Sequence, residues 1–132
     1  MTMLTELQLS ESYFLGAQHD KRWFQDNYFD LFVWQDKDTG HVVCFQLCYD
    51  RLGRERVLCW DQQRGFEHHI IDDGEESPHK NMTPIFTRTS AFDYNRIIPH
   101  FKQASEKMAP TISFFILQRL KEYQQHTQSL ID

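Results

Sequence analysis

Four apolar and β-branched runs of six to eight residues dominate the middle of the chain, and each of the three gaps between them contains a turn that ends in a glycine. A type I turn followed by a left-handed glycine has this spacing and closes an antiparallel hairpin. Three such loops in succession predict a β-meander. The predicted strands are 28–35, 42–49, 55–60 and 66–71, and the loop glycines are Gly40, Gly53 and Gly65.

The chain beyond residue 92 changes to the spacing of amphipathic helices. Ile97, Phe101 and Ala104 recur at helical intervals, and Pro110 suits the first turn of a second helix. A fifth strand is predicted at 83–87, whereas residues 1–20 predict only a cover of undefined shape. The whole chain, 1–132, is therefore expected to be a single α+β domain. Its antiparallel meander of four or five strands carries two C-terminal helices on one face, in a two-layer sandwich.

The hairpin loops also predict which residues share a face of the sheet, because side chains alternate along a strand. One face is apolar almost throughout and is expected to pack against the helices. The opposite face mixes aromatic, polar and charged groups. This register depends on three predicted pairs, namely Lys37 with His41, Asp50 with Arg54, and Gln62 with Phe66.

The mixed face is the first candidate site. Its register aligns Trp34, Trp60 and His68 across neighbouring strands and brings Arg56 within reach of Asp30. Tryptophan and arginine are enriched where proteins bind one another, so this face is expected to bind a protein partner, a ligand or a second copy of the chain. The alternative is that the N-terminal twenty residues, or Trp23 and Phe24, cover it as a second small core.

The second candidate site is a cluster of imidazoles and carboxylates where the fourth strand enters an acidic loop. Such groups bind divalent metals and perform acid–base chemistry. Adjacent strand residues point to opposite faces, so His68 and His69 cannot both bind one ion there. The alternative is an acidic turn whose carboxylates cap backbone amides. The candidate metal ligands are His69, Asp72, Asp73, Glu75 and His79.

Composition narrows the class of protein. The formal net charge of −5 has the wrong sign for a surface that neutralises phosphates, so nucleic acid is not an expected partner. Cys44, Cys48 and Cys59 lie in strand-like runs without metal-site spacing, as expected of small buried hydrophobes in a reducing compartment. No segment has the length and hydropathy of a membrane span or the pattern of a signal peptide, so we expect a cytoplasmic protein.

Several segments resemble small hypothetical proteins of bacteria, a family without an assigned activity. The resemblance covers 21–82 and implies a bacterial source, but no substrate, cofactor or catalytic residue. The leading interpretation is a noncatalytic cytoplasmic domain without a cofactor. The alternatives are a metal-dependent, hydrolytic enzyme and a purely structural or regulatory subunit. The similar segments are Arg22-Trp23-Phe24, 29–34, 45–50, Arg54-Glu55-Arg56, and 65–69 through 72–75.

Overall fold

The fold is taken from a computed structural model of the chain. It describes residues 3–7, 19–50, 55–72, 85–88 and 92–131; for 71–72, 85–88 and 126–131 only the backbone is described. Within these ranges the chain is α+β, with an antiparallel sheet followed by two C-terminal helices, as predicted.

The sheet has seven strands in the described residues, and every strand pairs with its neighbour in the chain. The predicted count of four or five was too low because two N-terminal strands were missed and the weak strand near residue 85 is present. The strands are β1 (Thr5–Leu7), β2 (His19–Gln25), β3 (Asp30–Asp36), β4 (Val42–Tyr49), β5 (Arg56–Asp61), β6 (Gly65–Asp72) and β7 (Ile85–Arg88).

Two of the predicted glycine turns are present, but the predicted pairs Lys37–His41 and Gln62–Phe66 were wrong. The backbone N–H of Asp36 donates to the His41 carbonyl, and Phe66 pairs with Trp60. Gly40 and Gly65 have φ of 79° and 84°, the left-handed region that favours glycine. In each hairpin the aspartate before the turn accepts hydrogen bonds from the backbone N–H groups two and three positions later. These distances are 2.8 and 3.0 Å at Asp36, and 2.8 and 3.2 Å at Asp61. Gly53 lies outside the described residues.

Helices α1 (Tyr94–Ala104) and α2 (Pro110–Ile131) follow the sheet. Pro110 is the first residue of α2, as predicted, because that position needs no backbone donor. Pro99 lies in the second turn of α1. Asp93 is the N-cap of α1, but its carboxylate bonds Arg96 instead of a backbone amide.

The core lies between the two helices and one face of the sheet, here called the helix face. Phe29 meets Phe101 of α1 edge to face at 5.7 Å, and Trp60 meets Phe115 of α2 at 5.2 Å. No helix in the described part of the chain is long and apolar enough to cross a membrane. The fully buried side chains of the helix face include Phe29, Leu31, Val33, Phe45, Leu47, Tyr49 and Leu58.

Candidate functional site

The register between β4 and β5 differs from the predicted one by a single residue. Phe45 pairs with Trp60 and Tyr49 with Arg56, whereas the predicted loop would have paired Cys44 with Trp60. A slip of one residue moves every side chain of the following strands to the other face. The prediction that the five mixed-face residues share one surface was therefore wrong.

The five predicted residues divide between the two faces. Trp34 and Asp30 lie opposite Cys44 and Cys48 in the β3–β4 register, as predicted, on the face away from the helices. Trp60, His68 and Arg56 lie on the helix face. We call the face away from the helices the open face, although Val57 on it is only 1% exposed. Its central residues are Lys21, Trp23, Asp30, Phe32, Trp34, Cys44, Gln46, Cys48, Val57, Cys59, Asp61, Glu67 and His69.

An aromatic strip crosses β2 and β3 on the open face. The rings of Trp23 and Phe32 stack with centroids 5.5 Å apart and planes 17° from parallel. The Lys21 ammonium lies 4.9 Å from the Phe32 ring centre and 5.1 Å from that of Trp34. All four side chains are half-buried, and partial burial lowers the pKa of Lys21. The strip therefore presents apolar rings together with a cation that is already partly dehydrated.

Asp30 holds the strip in position. Its Oδ1 accepts a hydrogen bond of 2.7 Å from the indole Nε1 of Trp23 and another of 3.0 Å from Nε2 of Gln25. A tryptophan fixed by a stack on one side and a hydrogen bond at its N–H loses little further freedom when a partner binds. Asp30 thus orients a binding residue.

The three cysteines lie next to the aromatic strip as free thiols, half-buried rather than buried. Burial raises the pKa of the Cys44 thiol to about 11 and that of the Cys59 thiol to about 12. A thiol becomes a strong nucleophile only as the thiolate, so these two are poor nucleophiles near neutral pH. They contribute small apolar surface to the open face.

On the helix face His68 belongs to the core. Its Nε2 is hydrogen-bonded to the Tyr49 hydroxyl, and Phe92 and Tyr123 meet its ring at 5.5 and 5.7 Å. Burial lowers the pKa of His68 to about 4, with a smaller contribution from nearby Arg56, so the imidazole is neutral at physiological pH. With 6% of its surface exposed, His68 lies largely beneath its neighbours.

Arg56 takes part in a polar cluster that joins α1 to the end of β4. Asp50, whose φ of 58° lies in the left-handed region that aspartate adopts more readily than most residues, accepts two bonds from Arg96, at 3.1 and 3.2 Å, and one from the Tyr28 hydroxyl. Arg56 lies 3.8 Å from the same carboxylate. Burial acts to raise the pKa of Asp50, but the hydrogen bonds from Tyr28 and Arg96 outweigh it and hold that pKa low. The cluster fastens the helix to the sheet.

The predicted metal ligands fall mostly outside the part of the chain that the structure describes. Asp73, Glu75 and His79 are among the residues not described, and only the backbone of Asp72 is placed, at the end of β6. His69 lies on the open face, 3.0 Å from the Glu67 carboxylate. Among the described side chains no group of three or more His, Cys, Asp or Glu residues could hold an ion. The metal site stays a prediction.

Three residues of the aromatic strip and its cation were not among the predicted site residues, namely Lys21, Trp23 and Phe32. The missing signal is the alternation of 19–25, which places Lys21 and Trp23 on one side and Arg22 and Phe24 on the other. The polar residues of β2 obscure this alternation in the sequence. Arg22, for example, lies on the helix face yet forms an ion pair with Glu6 at 2.7 Å.

Comparisons with known proteins add no further constraint on the site. Neither the protein-family models, nor the curated proteins, nor the solved structures contain a match to this chain. Any function assigned to the chain must therefore be argued from its own geometry.

Proposed function

We propose that the protein is a noncatalytic binding domain that docks a second copy of itself through the open face of its sheet. The observation that carries the proposal is the fixed aromatic strip of Trp23, Phe32 and Trp34 beneath the Lys21 ammonium. Both described helices lie on the other side of the sheet. Aromatic side chains in a rigid array supply contact area at little entropic cost, as interaction hot spots do.

The charges of the open face favour a second copy as the occupant. The aromatic residues and Lys21 lie on β2 and β3, whereas Asp61 and Glu67 lie on β5 and β6, on the far side of the central strand β4. A copy turned by 180° about an axis along β4 places the half of each sheet that carries the aromatic strip and Lys21 over the half of the other that carries Asp61 and Glu67. Two sheets then face each other as in a β-sandwich, about 10 Å apart.

The proposal predicts that a charge placed in the aromatic strip abolishes self-association. Phe32→Glu buries a carboxylate at the centre of the contact and should raise the dissociation constant by about 30-fold or more. The measurement is sedimentation velocity over a concentration series. Phe114→Glu is the matched control, because Phe114 is 61% exposed on α2 and the change in charge is the same.

A charge exchange tests the orientation of the two copies. Lys21→Glu and Glu67→Lys should each weaken the dimer by about fivefold to thirtyfold, because the symmetric contact counts every pair twice. The double variant should restore association. A wild-type protein that remains monomeric at all concentrations would overturn self-docking. If the dissociation constant of the dimer is unchanged in Phe32→Glu, the contact lies on another surface.

A further inference from the structure

A pocket of about 770 Å³ opens on the helix side of the sheet, away from the open face. Its walls are the β3–β4 hairpin loop, the start of the β5–β6 loop and the first turn of α2. A volume of this size is typical of a small-molecule site. The residues that line the pocket include Gln35, Val42, Trp60, Gln62, Thr111 and Phe115.

A β-bulge forms the floor of the pocket. The β3–β4 register shifts between Trp34, which pairs with Cys44, and Gln35, which pairs with Val42. The extra residue in β4 brings Val42 to the helix face, where it is 6% exposed beside Trp60. Bulges commonly redirect a side chain in this way next to functional sites.

The aromatic part of the floor is held rigidly. Trp60 meets Phe115 at 5.2 Å and stacks on buried Phe45 at 6.0 Å. The Arg119 guanidinium lies 4.7 Å from the Phe115 ring centre and 5.7 Å from that of Trp60, and it is fixed in turn by Glu122 at 2.8 Å. Neighbours already occupy these ring faces, so the pocket offers an apolar floor rather than an empty stacking slot.

The rim is polar but contains no Asp, Glu, Lys or Arg side chain among the described residues that line it. It consists of the amides of Gln35 and Gln62, the hydroxyls of Thr39 and Thr111, and the imidazole of His41. The Gln35 amide is already oriented, because its Nε2 donates to the Gly40 carbonyl at 2.9 Å. Such groups both donate and accept hydrogen bonds, which suits ligand hydroxyls.

We infer that this pocket binds an uncharged, hydroxyl-rich ligand, and that its ligand class is a saccharide unit. Neutral amides and hydroxyls above an apolar floor match the alternating polar edge and apolar face of a sugar ring. The rim lacks the arginine or lysine that a phosphate or carboxylate would need. A flat heterocycle would require an open ring face for stacking, and Phe45, Phe115 and Arg119 already pack on Trp60.

The test is saturation-transfer difference NMR on the full chain with glucose, galactose, N-acetylglucosamine, maltose and cellobiose, each up to about 50 mM. Adenine and uracil, which carry no sugar, are the flat-ring arms. A small pocket with few hydrogen bonds corresponds to a dissociation constant of about 1 mM. We expect transfer to at least one sugar. Binding of adenine or uracil without any sugar, or of no probe at all, would overturn the inference.

Variants decide whether a bound sugar occupies this pocket. Thr111→Trp fills the mouth from an exposed position and should reduce affinity by about tenfold or more, and Gln62→Ala should weaken it by several-fold. Phe114→Ser is the matched control on α2, because Phe114 is exposed and does not line the pocket. None of the three changes removes a buried side chain. Equal sugar affinity in Thr111→Trp and Phe114→Ser would refute the assignment.

Discussion

Phe101→Ala should lower the free energy of unfolding by about 3 to 5 kcal/mol, the largest effect we expect of any single substitution considered. Phe101 is fully buried in α1 and meets Phe29 edge to face at 5.7 Å. Truncation removes this contact and leaves a cavity between helix and sheet that close-packed neighbours fill only in part. The measurement is urea denaturation followed by far-UV circular dichroism.

Phe114→Ala makes the same chemical change on the exposed side of α2, where 61% of the side chain is accessible. It should alter stability by no more than about 0.5 kcal/mol. The difference between the two variants isolates burial from helix propensity, because both place alanine inside a helix. Equal losses in the two variants would mean that α1 does not pack on the sheet as described.

Acidification should destabilise the protein through His68 by up to about 3 kcal/mol, the second largest effect. Burial lowers the pKa of this imidazole to about 4 in the folded state, against an ordinary value of 6.5. Between these two values the unfolded chain binds a proton that the folded protein does not, so the free energy of unfolding falls as the pH falls from about 6.5 to 4. Denaturation curves across this range measure the slope.

Two variants separate His68 from the other groups that titrate in the same range. His68→Gln cannot take up the proton, so its stability should fall less steeply than that of the wild type below pH 6.5. Tyr49→Phe removes the hydroxyl bonded to His68 but keeps the imidazole, and so should be less stable at every pH with the wild-type slope. A wild-type slope in His68→Gln would place the buried proton acceptor elsewhere.

The hairpin loops explain how far the fold could be predicted from sequence. The β3–β4 pairing was confirmed from Asp30 with Cys48 to Trp34 with Cys44, but not at the turn, where Gln35 pairs with Val42. The bulge between Trp34 and Gln35 offsets this one-residue difference from the predicted register. The β4–β5 prediction failed because β4 ends at Tyr49, which pairs with Arg56 across a longer connection than a tight turn. A loop that is longer by an odd number of residues reverses the face of the next strand, and apolar patterning could not detect it.

The one-residue difference in register between β4 and β5 also limited what could be predicted of the candidate site. Both faces of β5 carry apolar residues, since Val57 and Leu58 are each at most 1% exposed on opposite sides. Either register therefore buries a plausible set of side chains, and only the pairing with β4 distinguishes them. Trp34 and Asp30 were placed on the open face correctly because the bulge between Trp34 and Gln35 offsets the one-residue error at the turn. Lys21 and Trp23 were missed because residues of mixed polarity conceal β2.

Within the described residues all seven strands precede both helices, and neighbouring strands in the chain pair with each other. During synthesis the hairpins have their partners within reach as soon as they emerge, but Leu31, Phe45 and Leu47 have nothing to pack on until α1 and α2 follow. The growing chain therefore passes through a stage in which an assembled sheet exposes apolar side chains on both faces. Such a species binds chaperones and other nascent chains. Release from the ribosome before α2 is complete therefore leaves an aggregation-prone fragment rather than a smaller folded protein.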